Sequence, residues 1–376
     1  MLKVVETPKR TSFRLRNREI FPNTILSPMD GVTNAPFRRL CRELSGNRMG
    51  LLVSEFVPTD ADAVFSLTGH KQLHFYPEET PFGIQIFGRF PDKMASAAKK
   101  IQDGLHPDYI EVNAGCPAPK VAGKGSGSGL LRDLPRLAEI LHEVKAAIDI
   151  PLTLKCRIGW DDDSINVMET LDIAESEGVE LLVVHGRTRL QGYNGLANWD
   201  WIGNVAAKAR IPVVGNGDVN SVAVAFDRIE KYGVSGVSIG RGAMHNPWIF
   251  GQIADAWEGK SAKELSGAEA LSVFPLYFGF MREDGATEMG ALGRMKQLAA
   301  RLCKGFTDGE LRESNLTESG MLVRQTLLTS EDHNIFFERL QNLMEGEAKN
   351  LRFEPERLVN LNGAKELDLK FGNQFK

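Results

Sequence analysis

Eight short apolar runs, each trailed by a stretch of helical period, predict an α/β fold of the (β/α)8 barrel type between residue 24 and about residue 250. A change to purely helical patterning after Pro247 predicts a smaller, all-helical C-terminal domain. The length fits both, since 376 residues hold one barrel of roughly 250 residues and a further domain of about 100.

The predicted strands lie at Thr24–Met29, Leu51–Glu55, Phe82–Phe87, Tyr109–Asn113, Leu152–Arg157, Leu181–His185, Pro212–Gly215 and Gly236–Ile239, each followed by a helix such as Ala35–Leu44 or Leu134–Ile148. Beyond them, Ala268–Met281, Gly290–Lys304 and Asn334–Met344 read as amphipathic helices with no further strands. The expected division is a barrel over 1–250, a helical domain over 251–353 and an unassigned tail over 354–376.

Composition narrows the class. Apolar residues at 42% and charged residues at 25% are ordinary globular values, so no long disordered tract is expected. The net charge is −4, with 29 basic against 29 acidic residues over 1–250 and 16 against 20 over 251–376. Neither part is basic in bulk, so any nucleic-acid contact depends on a local basic face. Lys9, Arg10, Arg14, Arg16 and Arg18, then Arg38, Arg39 and Arg42, are the densest basic groups. Four widely spaced cysteines without a C-x-x-C pair argue against a disulfide framework or a zinc site and suit reduced thiols in the cytoplasm. The N-terminus has no apolar run of signal-peptide length and no stretch of about 18 apolar residues occurs, so no membrane partner is expected. No metal is expected either.

In such a barrel the carboxyl ends of the strands build the active face. Read in order, they carry Ser27-Pro28-Met29, Glu55, Gln85, Asn113, Lys155 with Arg157, His185 with Arg187, Asn216-Gly217-Asp218 and Gly240-Arg241. The last two sets suit a phosphate, because glycine admits backbone N–H groups to an anion and Arg241 adds charge-assisted bonds. A phosphate there, with Gln85, Lys155 and His185 across the middle strands, implies a flat polar ligand such as flavin mononucleotide (FMN). Gln85 would bond the pyrimidine edge of the ring system, and Lys155 would place positive charge near N1 and O2.

Cys116 lies in Asn113-Ala114-Gly115-Cys116-Pro117, directly after the fourth strand. A thiol with an ordinary pKa near about 8.5 is mostly protonated at neutral pH and suits a general acid. Cys41 and Cys156 read as small buried fillers. After Cys116 come Lys120, Lys124 and the glycines of Gly123–Gly129, which match neither a P-loop nor a dinucleotide fingerprint. A flexible lid over the mouth is the expectation.

Together, the run Ser27-Pro28-Met29-Asp30-Gly31-Val32-Thr33-Asn34-Ala35-Pro36-Phe37-Arg38, then Gln85-Ile86-Phe87-Gly88, Asn113-Ala114-Gly115-Cys116-Pro117, Val184-His185-Gly186-Arg187-Thr188, Asn216-Gly217-Asp218 and Ile239-Gly240-Arg241-Gly242 resemble the tRNA-dihydrouridine synthases. The resemblance runs from about Ile25 to Phe250 and continues faintly through Arg294-Met295-Lys296-Gln297. It implies FMN held by Pro28, Met29, Asp30, Gln85, Lys155, His185, Asn216, Gly217, Asp218, Gly240 and Arg241. It further implies that Cys116 protonates C5 of a uridine while reduced flavin delivers hydride to C6, with NADPH (or NADH) as reductant. Asn113, Lys120, Lys124, Arg187 and Arg189 would line the mouth for tRNA, and Arg294, Lys296 and Arg301 would grip its phosphates. A cytoplasmic monomer is expected. Asp30 stands where many members have alanine, and Ala114 where methionine or phenylalanine is usual. The Ala-Pro after Cys116-Pro117 and Gln191-Gly192-Tyr193 look most like the branch acting in the D-loop near position 16.

Three other readings compete. An FMN barrel acting on a free dihydropyrimidine such as dihydroorotate uses the same chemistry, but the helical domain speaks against it. A non-redox lyase or isomerase would use Lys155 as a Schiff-base amine. An RNA-binding protein without catalysis is the third, and flavin absorbance separates it and the lyase from the redox readings.

Overall fold

A computed structural model describes residues 11–60, 65–261, 264–307 and 318–355. Lys9, Arg10 and most of the expected tail, 356–376, lie outside them. The eight barrel strands are β1 (Thr24–Leu26), β2 (Leu51–Val53), β3 (Phe82–Phe87), β4 (Tyr109–Ala114), β5 (Leu152–Arg157), β6 (Leu181–His185), β7 (Val213–Asn216) and β8 (Gly236–Ile239). They pair in parallel around the ring, and β2 pairs β3 through Leu52–Phe82 and Val53–Gly83, which closes the barrel.

Inside, residues alternate with period two, so paired strands set inward side chains in layers. The lowest layer holds Ile25, Leu51, Tyr109, Leu181 and Val214, packed with Phe13, Leu15 and Ile20 of an antiparallel hairpin, Phe13–Leu15 with Arg18–Ile20. This hairpin stoppers the amino end of the barrel. The Tyr109 ring lies against Gly83, where a Cβ would come within 2.2 Å of it, and its hydroxyl donates to the Leu52 carbonyl at 2.9 Å. The floor is therefore apolar and filled, and polar side chains begin one layer higher.

Seven units carry an α-helix on the outside: α1 (Ala35–Leu44), α2 (Pro91–Leu105), α3 (Leu134–Ala147), α4 (Val167–Ser176), α5 (Trp199–Lys208), α6 (Val222–Tyr232) and, for the eighth strand, α7 (Ile249–Trp257). The second unit departs from expectation. Among the described residues it has 3-10 turns at Leu67–Gly69, Lys71–Leu73 and Pro77–Glu79. Helix α7 packs on α6, with the Phe226 and Trp257 ring centroids 4.6 Å apart, so the barrel runs through Trp257, past the expected boundary at 250.

The C-terminal part is mainly helical: Gly267–Leu271, Val273–Glu283, Glu288–Leu302, Glu318–Leu328 and His333–Glu345. The expected helix over 268–281 breaks at Ser272, because Pro275 cannot donate to the Leu271 carbonyl and its ring crowds it. Against expectation, three two-residue strands, Leu265–Ser266, Phe306–Thr307 and Arg352–Phe353, form a small antiparallel sheet. Segments this short have no period for a sequence pattern to show. This part is bound to the barrel by polar and aromatic contacts. Arg39 pairs with Glu283 at 2.7 Å beneath the Phe280 ring, and Phe37 meets Tyr277 edge-on at 6.1 Å.

Candidate active site

The carboxyl ends of β3 to β8 converge on one polar layer. Gln85, Glu111, Asn113, Lys155, Arg157, His185 and Asn216 are all at most 9% exposed. Gln85 Nε2 donates to Glu111 Oε1 at 2.7 Å and its Oε1 accepts from Asn113 Nδ2 at 2.8 Å. Asn113 Oδ1 in turn accepts the Gly115 and Cys116 backbone N–H groups, both at 2.9 Å. Across the barrel, Lys155 Nζ donates to Asn216 Oδ1 at 3.1 Å, and Asn216 Nδ2 donates to the Ser238 carbonyl at 2.7 Å. The Ser238 hydroxyl oxygen beside it is buried without a hydrogen-bond partner.

Burial sets the charges. It pulls the Lys155 ammonium down to about 8, against the attraction of Glu111, and pushes the Glu111 carboxyl up to about 7, against the attraction of Lys155. His185 is held well below its usual range by burial and by Arg157, Lys155, Arg187 and Arg241 around it. Neutral His185 accepts at Nε2 from Arg187, 3.3 Å away, which can only donate, so the ring proton sits on Nδ1.

Cys116 is half-buried, and burial pushes its thiol up, with the Asp30 carboxylate adding and the Ala118 N–H and Arg157 opposing. The other cysteines are fully buried. The Cys116 carbonyl is pinned by the Ser128 N–H at 3.2 Å and hydroxyl at 2.7 Å. The glycine-rich segment is therefore only partly the open lid that was expected. Gly127, Ser128 and Gly129 are buried in a 3-10 turn, and exposure is confined to Gly123–Gly125. A Cβ at Gly127 would lie 3.1 Å from the Cys116 carbonyl oxygen, on a backbone with φ +55°, so this glycine serves close packing beneath the thiol loop.

A family model for dihydrouridine synthase (Dus) matches residues 25–332, through the barrel and well into the helical part. The chain belongs to the dihydrouridine synthase family. The family is flavin-dependent, and its reaction is the reduction of tRNA uridine to dihydrouridine. A probable tRNA-dihydrouridine synthase of Rickettsia conorii is 40% identical over 69% of this chain and 78% of its own length. The tRNA-dihydrouridine synthase B of Pseudomonas putida is 43% identical over 64% of this chain and 69% of its own. Among solved structures, histamine dehydrogenase from Rhizobium sp. 4-9 aligns with a TM-score of 0.52 at 11% identity, over 72% of this chain and 50% of that one. TcOYE with pHBA aligns at 0.50 and 10%, over 66% and 92%. These two likenesses bear on the barrel fold alone.

For this family member the remaining expected residues fall into place unevenly. Pro28 and Met29 are half-buried on the loop after β1, with Met29 N–H donating to the Thr33 hydroxyl at 2.9 Å, and Asp30 is exposed. Gly217 and Asp218 both take positive φ, and a Cβ at Gly217 would lie 2.5 Å from Ala197, so only glycine admits this close approach. Asp218 accepts from Arg187 at 2.8 Å and from the Ala197 N–H at 2.8 Å, with Arg241 at 3.5 Å. Gly240 faces Met29 and leads into the short helix Arg241–His245.

Lys120 and Lys124 are exposed on the loop after Cys116, as a rim contact requires. Arg187 is not a rim residue. It is 2% exposed and spends its donors on Asp218, Gly195, Asn194 and His185, because a guanidinium with that many acceptors in reach is better satisfied inside. Burial pushes the Glu55 carboxyl up, against the Gly31 N–H that it accepts and against Arg294, which sits beside Gly31. This arginine joins the helical part to the mouth. Lys296 is half-buried on the same helix.

The sequence put Arg157 at a strand end without a role and Tyr193 only in a motif of subtype, and it gave Glu111 no place. Glu111 shares the inward parity of Tyr109 and Asn113 on β4, a signal that was present in the spacing. Arg157 Nε donates to the Gly115 carbonyl, and its NH1 to the Thr188 and Gly192 carbonyls, each at 2.8 Å. Tyr193, 53% exposed, lies under the guanidinium groups of Arg157 and Arg241, at 5.6 and 4.9 Å. Among the described residues there is no cluster of His, Cys, Asp or Glu able to hold a metal, and no helix is long and apolar enough to cross a membrane.

Proposed function

We propose that this chain reduces uridine in tRNA with FMN seated across the polar layer and Cys116 as the acid. The fit to an anionic cofactor rests on this site's own charges: Arg157, Lys155, Arg187 and Arg241 gather around His185, against the single carboxylate of Asp218 beside the last two. The orphaned Ser238 hydroxyl adds a donor beside them. Pro28, Met29, Asp30, Gln85, Lys155, His185, Asn216, Gly217, Asp218, Gly240 and Arg241 would hold it. When bound and reduced by NADPH, the flavin supplies hydride to C6 of the uracil ring.

The chain's own part is the proton. Cys116 Sγ gives it to C5, leaving a thiolate that takes a proton back from solvent. Of the four cysteines Cys116 alone is half-buried rather than buried, on the loop directly above the polar layer, and this observation carries the reading; burial raises its thiol, which keeps the proton on at neutral pH. The uridine must leave its stack to reach the thiol, and exposed Lys120 and Lys124 would meet the surrounding phosphates. The helical part, with Lys296, would hold the body of the tRNA, in a cytoplasmic monomer acting in the D-loop.

Cys116→Ala is expected to keep flavin and its reduction by NADPH, and to lose dihydrouridine formation on unmodified tRNA by about a hundredfold or more. Full activity in that variant overturns the acid role.

A further inference from the structure

The polar layer contains a one-way hydrogen-bond chain whose far end is Glu111. An amide side chain among neutral neighbours can exchange its oxygen and nitrogen with little change of shape. Here neither amide has that freedom. At the far end, Glu111 Oε1 accepts the Gln85 NH2 at 2.7 Å. Gln85 then shows oxygen to Asn113, which must answer with its own NH2, at 2.8 Å. Asn113 is left with oxygen facing the Gly115 and Cys116 N–H groups, which only donate. Fixed by two backbone N–H donors at the loop end, the chain has one arrangement, and Glu111 Oε1 is left to accept at the other. Glu111 itself is 1% exposed and 26 residues from Gln85 in sequence, so this is a tertiary device rather than a turn.

We propose that Glu111 is a positioning residue, which acts through the Gln85 and Asn113 amides to hold the Gly115–Cys116 backbone and so aims the thiol at the substrate. The consequence for catalysis rests on the reading of Cys116 as the acid; the positioning itself does not. Glu111 does not touch the thiol; it meets the polar layer through Gln85 and attracts Lys155. Its replacement should loosen the loop above that layer.

The thiol reports on this directly, because Cys41, Cys156 and Cys303 are fully buried and iodoacetamide reaches Cys116 alone. Glu111→Gln keeps shape but can present either oxygen or NH2 to Gln85. In the flavin-loaded enzyme it is expected to change the Cys116 alkylation rate at fixed pH by about threefold or more. Single-turnover tRNA reduction should fall by about tenfold or more with the KM for tRNA unchanged. Glu111→Asp, which restores a carboxyl at that end, should return alkylation part of the way to native. Gln85→Leu cuts the next link and should change alkylation in the same direction, which keeps the test open should Glu111→Gln fail to fold. Native alkylation rates in Glu111→Gln, or in Gln85→Leu where the first does not fold, overturn the proposal. Failure of the acid reading would show separately, as full activity in Cys116→Ala, and would leave the alkylation result standing.

Discussion

Arg157→Met should uncouple the two loops that form the mouth. The guanidinium is 1% exposed and ties the Gly115 carbonyl, next to Cys116, to the Thr188 and Gly192 carbonyls on either side of Arg189 and Gln191. Methionine fills similar space with no donor, leaving three carbonyls to find other partners. A buried acceptor left unmade costs about 1–3 kcal/mol, and losing the burial cost of the charge, which already pulls this arginine down to about 10, offsets part of the total. A net loss of about 3 kcal/mol is expected, read as a lower denaturant midpoint with an unchanged m-value. Activity should fall further than stability implies, because a misplacement of about 1 Å at the reacting atoms can cost on the order of a hundredfold. Urea unfolding and single-turnover reduction of unmodified tRNA measure the two effects. A variant with a native midpoint and a native rate would refute the view that this guanidinium holds the mouth together.

Two further outcomes follow from the charges. Lys155→Met should keep the fold and lower flavin affinity by about tenfold or more, since one charge-assisted contact is worth about 1.5–3 kcal/mol; flavin absorbance after gel filtration checks it, and native retention would place the lysine elsewhere. Glu111 gives a pH signature. Its folded pKa is raised, so its contribution to stability is complete below the unfolded value near 4.5 and is lost as pH climbs through about 7. Native protein should therefore lose about 3 kcal/mol more than Glu111→Gln between pH 4.5 and pH 8, measured by urea unfolding at both. Equal changes in the two proteins contradict the raised carboxyl.

The strand ends were legible because a parallel barrel fixes which end of every strand faces the site, and the eight runs announced their own boundaries to within three residues. What stayed hidden shares a cause: it depends on contacts that no local pattern records. Glu111 lies inside a strand rather than at its end, so a search of ends passes over it. Glycine reads alike whether it loosens a loop or admits a close neighbour, and Gly127 does the second. A charged residue is expected at the surface, but Arg187 finds Asp218 and two carbonyls inside. The period of the helix bearing Arg294 defines a face, and only the fold shows that this face meets Gly31 and Glu55.

The arrangement around Cys116 also bears on the proposal that it acts as an acid rather than a nucleophile amid so many cations. A nucleophilic thiol is commonly activated by a base or cation free to face its sulfur. Arg157 is close enough to register on the thiol, yet its Nε and NH1 are spent on backbone carbonyls, one of them the residue before Cys116. Lys155 is turned to Asn216, and Arg187 to Asp218. The positive charge is thereby held in the layer where an anionic cofactor would lie, while burial and the exposed Asp30 keep the sulfur protonated above it. Asp30 stands where a neutral residue would leave the thiol lower, so in this chain the rim itself favours the proton donor.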